Sequence, residues 1–309
     1  MNLNVTAVIV TYNRKELLQT CLTAMLAQTR KPDHILVVDN ASTDGTRAML
    51  TEAGWLNQSG IEILALTQNT GGAGGFKAGI NHALKGKADW IWIMDDDARP
   101  ETGALDALLG ANPDPKAIYA AAALADSGDL YELVWPAVPT GVEWSGKSWI
   151  NIDELPATPF PVTNAPFIGM LIHRNLVARI GLPDQDFFVS GDDADYCARA
   201  WSAGSGVWLV PRSVVRHPRI PRRCFRLGSR QICVLRVTPW RRYYDTRNRL
   251  VIAKRHFGKR LWTEALPGTL IRWLVTLVVQ PERMAQSLAF ALGIRDGLAE
   301  RLGVRWPPP

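Results

Sequence analysis

Apolar residues at the start of this chain fall into short unbroken runs, and each run ends in polar residues. Val5 to Val10 is β-branched and gives way to Thr11-Tyr12-Asn13-Arg14. Such a run, without charge, predicts a strand. From Lys15 the apolar positions Leu17, Leu18, Leu22, Met25 and Leu26 recur at helical spacing. Asp33 to Val38 predicts a second strand, ending in Asp39-Asn40-Ala41-Ser42-Thr43-Asp44, where Thr43 or Asp44 can cap the next helix. Ile61 to Leu66 predicts a third. A glycine-rich loop, Asn69-Thr70-Gly71-Gly72-Ala73-Gly74-Gly75-Phe76, then leads into a helix ending near Leu84. Trp90 to Met94 predicts a fourth strand, covered on both faces. Strands alternating with helices in this way predict an α/β fold with a mostly parallel central sheet flanked by helices.

Further along, Ala104–Leu109 predicts a short helix and Ile118–Leu124 an apolar run. Asp126 to Pro166 reads as hairpins and loops around Trp135, Trp144 and Trp149. Phe167–Ile172 restores a buried strand, and Asn175–Ile180 a helix. A second helix opens at the acidic cluster Asp192-Asp193-Ala194-Asp195. Val207–Val210 is a last short strand, followed by Val214-Val215-Arg216-His217-Pro218. Leu261 to Leu302 predicts two helices separated at Pro281. The expected organisation is an α/β domain over 1–220 and a basic, mostly helical region over 221–309.

Composition narrows the function classes. The chain has 309 residues, 47% hydrophobic and 21% charged, which excludes a disordered protein. Its formal charge of +6 is unevenly spread: from Pro211 to Arg260 Asp245 is the sole acid among sixteen basic residues. A block of this kind implies an anionic partner. Cys21, Cys197, Cys224 and Cys233 show no zinc or CxxC spacing, so a reduced, cytoplasmic setting is expected. Neither a signal peptide nor an apolar run long enough to cross a membrane is visible. The tail helices, interrupted by charge throughout, fit a membrane interface, the surface of the catalytic domain or a second copy of the chain in a homo-oligomer.

Candidate chemistry lies at the ends of the predicted strands. Asp95, Asp96 and Asp97 follow the fourth strand, and ligands of open α/β sheets bind outside strand carboxyl ends. In an extended chain Asp95 and Asp97 share a side and Asp96 faces the other. Two such carboxylates with His217 form an oxygen and nitrogen set suited to Mn2+ or Mg2+. The glycine loop suits the close approach of a phosphate to a helix N-terminus and equally suits a tight turn. The Asp192/Asp193/Asp195 cluster exceeds what capping one helix requires.

Taken together, V-T-Y-N-R (10–14), V-V-D-N-A-S-T-D-G-T (37–46), N-T-G-G-A-G-G-F (69–76), D-D-D (95–97), G-D-D-A-D-Y (191–196) and H-P (217–218) resemble a family 2 inverting glycosyltransferase with the GT-A fold. The glycine and aspartate motifs are similar to bacterial galactofuranosyltransferases and rhamnosyltransferases that build cell-wall polysaccharide, and Y-Y-D-T-R-N-R (243–249) resembles the tail motif of that subgroup. The resemblance implies a donor-binding half over about 1–100 and an acceptor half over about 101–220. Thr11, Tyr12, Arg14, Asp39, Asn69, Gly74, Asp95 and Asp96 would face a UDP- or dTDP-sugar donor. Asp95, Asp97 and His217 would hold the cation. Asp193 would be the catalytic base, with Asp192 its competitor, and Asp192 and Asp195 would position a lipid-linked or glycan acceptor at the cytoplasmic face of a membrane. The chain departs from the galactofuranosyltransferases it resembles in one respect: the resemblance implies Trp and Glu where Gly191 and Asp195 stand here.

Two other classes fit the residues less well. A nucleic-acid-binding protein explains the basic block and leaves both acidic clusters without a purpose, so no nucleic-acid partner is expected. A nucleotidyltransferase would need a glycine-rich, basic loop directly after the first strand, and Thr11-Tyr12-Asn13-Arg14 is not one.

Overall fold

The computed structural model describes residues 3–57, 60–131, 137–138, 141–144, 151–218, 221–227 and 230–306. In chain order the first elements are β1 (Val5–Thr11), α1 (Lys15–Leu26), β2 (His34–Asp39), α2 (Thr46–Glu52), β3 (Ile61–Ala65), α3 (Gly71–Lys85), β4 (Trp90–Asp95), β5 (Arg99–Pro100), α4 (Ala104–Gly110) and β6 (Ile118–Leu124). They are followed by β7 (Ala137–Val138), β8 (Gly141–Trp144), β9 (Phe160–Pro161), β10 (Ile168–His173), α5 (Arg174–Ile180), α6 (Asp192–Ser202) and β11 (Val207–Arg216). The chain ends with β12 (Arg222–Leu227), β13 (Arg230–Leu235), α7 (Pro239–Phe257), α8 (Leu266–Val279) and α9 (Arg283–Leu298). The expected loop positions Trp135 and Trp149 lie outside the described residues.

Chain contacts divide the protein into two units. The first holds residues 1–185 and 193–218, the second residues 186–192 and 219–309.

The first unit is built on a sheet of order β3-β2-β1-β4-β10-β6-β11-β5, with β9 also pairing to β11. The pairs β1–β2, β2–β3, β1–β4 and β6–β11 are parallel, and β10 runs antiparallel between β4 and β6. The sheet is therefore parallel through its first four strands and mixed beyond them. An apolar run carries no direction, so nothing in Ile168–Ile172 announced the reversal. Six strands, β1, β2, β3, β4, β6 and β11, deliver their carboxyl ends to one edge.

Alternation along the strands builds a core on each face. Ile9, Val37, Trp92 and Met94 meet Leu18, Leu22 and Met25 of α1 and Leu105 and Leu108 of α4. Val8, Val10, Val38 and Ile93 meet Phe76 and Ile80 of α3 and Tyr196 of α6. Helix α3 begins at Gly71, so most of the expected glycine loop is helix. Gly71 alone of its glycines takes a positive φ, 72°. The others give close approach: a Cβ on Gly75 would lie 2.5 Å from Val10 Cγ1, and one on Gly79 would lie 2.4 Å from Val8 Cγ1.

The second unit contains the two expected tail helices, α8 and α9, and also α7 and the β12–β13 hairpin, which the periodicity did not reveal. Pro239 opens α7 at a position where its missing N–H costs nothing. Gly293 and Gly297 let α9 lie directly on α7, within 2.9 Å of Tyr243 O and 2.8 Å of Arg247 O for a Cβ at those positions. Trp273 of α8 stacks on Phe290 of α9 at 5.9 Å. Among the described residues no helix is long and apolar enough to cross a membrane.

Candidate active site

The carboxyl edge of the sheet gathers the predicted residues because the strands ending there are parallel. Asp95 ends β4 beside β1, and His217 follows β11, where its N–H donates to Leu124 O at the end of β6 at 2.8 Å. One ligand atom each from Asp95, Asp97 and His217 lies within 4.8 Å of the others. His217 Nε2 stands 2.8 Å from Asp97 Oδ1, and Nδ1 donates to Pro218 O at 2.8 Å. With Nδ1–H committed to that carbonyl, a neutral ring would point its Nε2 lone pair at a carboxylate. The arrangement calls for positive charge there, either a proton on the ring or a metal ion. The Tyr131 ring packs edge-on to the imidazole at 4.6 Å and fixes its plane.

The charges within the cluster agree. Burial pushes the Asp95 carboxyl up to about 7, helped by the charge of Asp97. Burial would raise Asp97 too, but the hydrogen bond and charge of His217 reverse this and hold it below the ordinary carboxylate value. His217 responds in the opposite sense: burial disfavours its charge, and Asp97 overcomes the penalty and raises its pKa. Two carboxylates and an imidazole, short of positive charge and at a strand terminus, fit a hard divalent cation.

Asp96 turns away from this group. Its side chain is 3% exposed, accepts from Thr11 Oγ1 at 2.7 Å and meets Arg14 Nη1 at 3.3 Å. Arg14 also reaches Asp97 Oδ2 at 2.8 Å, so one guanidinium bridges two of the three aspartates. Burial pushes Asp96 up to about 6, against the pull of Arg14. Thr11 and Arg14, expected at a nucleotide, thus also hold the acidic turn. Tyr12, beside them, is 37% exposed.

Asp39 at the end of β2 is buried, and its Oδ1 accepts from Ser42 N at 2.9 Å. Asn69 accepts from Gly71 N at 2.8 Å and shapes the entry to α3. Gly74 lies against Thr70, so closely that a Cβ at position 74 would stand 2.4 Å from Thr70 Cβ. Asp44 accepts from Lys15 N at 3.0 Å and Thr46 N at 3.1 Å, serving the starts of both α1 and α2. Sequence reasoning missed Asn40. Its buried amide donates to Gly71 O at 2.9 Å and accepts from Thr70 N at 2.9 Å, tying β2 to α3. An asparagine directly after a predicted strand was the available signal.

The second acidic cluster divides. Asp193 is half-buried at the start of α6, and its Oδ1 accepts from Ala194 N at 2.7 Å. Asp195 is buried and pairs with Arg199 Nε one turn on, at 3.0 Å. Arg199 in turn donates to Ile180 O at 2.8 Å and Leu182 O at 3.0 Å. This carboxylate faces the protein interior. Asp192 is buried and belongs to the second unit. Cys197 donates to Ala165 O, and Trp201 to Val162 O, beside the start of β11. Helix α6 therefore runs down the sheet, with Asp193 on the side of the strand carboxyl ends.

A mixed sheet whose parallel strands end in an acidic turn and a histidine fits the GT-A fold that the sequence led one to expect. Residues 6–178 match the model of Glycosyl transferase family 2, and the chain belongs to that family. A galactofuranosyltransferase of Mycolicibacterium smegmatis is 35% identical over 204 residues, which cover 65% of this chain and 66% of that protein. The match thus spans about two thirds of that relative's length. A dTDP-rhamnosyl transferase of Shigella flexneri is 24% identical over 306 residues, covering 96% of each chain. An N-acetylglucosaminyl-diphospho-decaprenol L-rhamnosyltransferase of Mycobacterium tuberculosis is 25% identical over 246 residues, covering 68% of this chain and 74% of that one. The fold is shared with GalNAc-T7, solved with UDP, GalNAc and Mn2+, at a TM-score of 0.61 and 13% identity over 94% of this chain and 55% of that one.

Proposed function

We propose that this glycosyltransferase moves a sugar, galactofuranose or rhamnose, from a UDP- or dTDP-linked donor to a lipid-linked or polysaccharide acceptor, with inversion and with a divalent cation, at the cytoplasmic face of a membrane. The observation that carries the reading is the Asp95–Asp97–His217 group at the carboxyl edge of the sheet. The likeness to galactofuranosyl and rhamnosyl transferases supports the choice of sugar, and the decaprenol-linked substrate named for one relative supports a lipid-linked acceptor. A Mn2+ or Mg2+ ion held by Asp95, Asp97 and His217 would neutralise charge on the diphosphate leaving group.

The chain's own residues then divide the work. Exposed Tyr12 and the Asp39 strand end take the nucleoside, while Arg14 keeps Asp96 and Asp97 in place as charge shifts. Asn69 and Gly74 shape the donor side by fixing the entry to α3. Asp193 accepts the proton of the acceptor hydroxyl as its oxygen bonds to the anomeric carbon and the bond to the diphosphate breaks. Asp195 acts by holding α6 through Arg199.

The test is a screen of UDP-galactofuranose and dTDP-rhamnose against a polyprenyl-diphosphate acceptor, with Mn2+ or with excess EDTA, for the wild type, Asp193→Asn and Asp192→Asn. Asp193→Asn should bind donor and lose turnover by a factor of about 10² to 10⁴. Full turnover in EDTA removes the metal from the reading, and a dead Asp192→Asn beside an active Asp193→Asn moves the base by one residue. Retention of anomeric configuration excludes the single displacement.

A further inference from the structure

We propose that Arg247 and Asn248 of α7 are positioning residues for transfer, holding the segment that enters α6 and so fixing where the Asp192–Asp193 pair stands. This rests on the reading of Asp193 as base.

The segment follows a path that its residues disfavour. Phe188, Ser190 and Gly191 have φ of 66°, 67° and 85°, and two of them carry a Cβ. Bonds within the second unit hold it there. Asn248 Nδ2 donates to Phe187 O at 3.0 Å, Val189 O at 2.9 Å and Ser190 O at 2.6 Å, its two hydrogens shared among three carbonyls. Its Oδ1 accepts from Arg247 Nε at 2.8 Å, which sets the orientation of the amide. Arg247 donates to Asp186 O at 3.0 Å, Phe187 O at 2.9 Å and Gly303 O at 2.7 Å. Both side chains are buried, and the guanidinium is covered by Tyr244 at 4.7 Å. Phe188 packs on Tyr244 at 5.1 Å. Gly191 completes the fit, because a Cβ there would meet Ile252 Cδ1 at 3.0 Å and Asn248 Cβ at 3.4 Å.

Burying a guanidinium and an amide to grip the carbonyls of one short segment is a costly arrangement for a loop without a task. The next residues in the chain are Asp192 and Asp193. Displacing a reacting group by about 1 Å can cost about 100-fold in rate, so a clamp on the preceding peptide governs turnover more than donor affinity. The tail motif Y-Y-D-T-R-N-R, whose role the sequence left open, supplies both clamp residues.

The experiment compares Asn248→Ala, Arg247→Lys, Asn248→Ala with Ser190→Gly, and Asp193→Asn. It measures kcat, donor KM, the urea midpoint and binding of UDP with Mn2+ by calorimetry. Asn248→Ala should lower kcat by about 10- to 100-fold and leave donor KM and UDP affinity within about twofold. Adding Ser190→Gly should recover part of the loss, since glycine takes the left-handed path without a Cβ penalty. Where Asn248→Ala does not fold, Arg247→Lys carries the comparison, because one ammonium lacks the fork that reaches three carbonyls. A wild-type kcat in the clamp variant beside an inactive Asp193→Asn overturns the clamp alone. Loss of UDP affinity in parallel with kcat makes the pair a general support of the fold and also overturns it. Activity in both Asp193→Asn and Asp192→Asn removes the base reading, and the clamp's role falls with it.

Discussion

At the scale of single residues, His217 and Asp97 define the site by a geometry that leaves room for one positive charge. The imidazole commits Nδ1–H to Pro218 O and aims Nε2 at Asp97 Oδ1, so the two atoms can share one proton between them or bind one metal ion beside them. We expect Asp97→Ala and His217→Ala each to weaken Mn2+ binding by at least about 10-fold, measured by calorimetry with UDP present. Equal Mn2+ affinity in all three proteins would place the ion elsewhere. Gly191 poses a steric question of the same size. Its φ of 85° lies in the left-handed region, and a Cβ there would stand 3.0 Å from Ile252 Cδ1, so any side chain at this position strains the backbone and presses on Ile252. Gly191→Ala should cost about 1 to 2 kcal/mol from the left-handed backbone alone, read from the shift in urea midpoint. An unchanged midpoint would mean that the segment relaxes to a right-handed path.

At the scale of elements, the fold depends on close approach. Helix α3 sits on β1 and β2 through Gly75 and Gly79, and Gly79→Ala would place a methyl 2.4 Å from Val8 Cγ1 and 2.8 Å from Val38 Cγ2. The expected loss is about 1 to 3 kcal/mol, since both valines lie in strands and cannot move aside alone. Gly72→Ala, with open space around it, is the control and should stabilise the fold by about 0.5 to 1 kcal/mol through helix propensity. In the second unit Asp245 of α7 pairs with Arg242, which is 1% exposed, at 3.4 Å and with Arg249 at 3.2 Å. Asp245→Asn leaves Arg242 without its counter-charge. The loss should be about 2 to 4 kcal/mol, below the figure for a fully buried pair because Asp245 keeps 18% of its side-chain surface. Burial would raise the Asp245 carboxyl, but the Arg249 and Arg242 charges hold it below the ordinary value. Its contribution is therefore full above the unfolded carboxyl pKa of about 3.9 and disappears as pH falls through the folded value. The difference between wild type and Asp245→Asn should shrink below about pH 4; a gap that persists there would point to packing instead of charge.

At the scale of the whole molecule, charge is separated along the chain. The first unit holds sixteen basic and twenty-two acidic residues, a formal charge of −6; the second holds nineteen and seven, a formal charge of +12. The second unit also exposes Leu274 at 65%, Val278 at 75% and Met284 at 88%. Positive charge beside exposed apolar side chains suits an anionic lipid surface. We predict binding to vesicles containing phosphatidylglycerol at low salt, weakening steeply as added salt brings the Debye length below about 10 Å. Leu274→Glu with Val278→Glu should release the protein from vesicles while leaving turnover on a water-soluble acceptor intact. Binding that ignores both salt and this double substitution would assign the face to another partner.

Much of the fold was written in the order of apolar runs. Strands β1 to β4, helix α1 and the two tail helices follow from unbroken apolar runs and from helical spacing, because a strand covered on both faces is apolar throughout and a surface helix only along one stripe. Part of the candidate cation site was legible for the same reason, since Asp95 to Asp97 stand where a buried strand must end. Direction was not legible: Ile168–Ile172 reads the same in either sense, and only pairing with β4 and β6 makes it antiparallel. Helix α7 was hidden because arginines at its buried positions mask the apolar face. Distance decided the rest. His217 lies far from Asp97 in the chain and reaches it because β11 pairs with β5 just after the acidic turn, Arg216 opposite Arg99. Alternation alone set Asp96 apart from Asp95 and Asp97, and it turns to Thr11 and Arg14; Asp195 reads in sequence like Asp193, and only tertiary structure pairs it with Arg199. The sequence by itself determined which residue types stand at the strand ends; which of them face one another was set by packing, since burial selects the partner each charge must have.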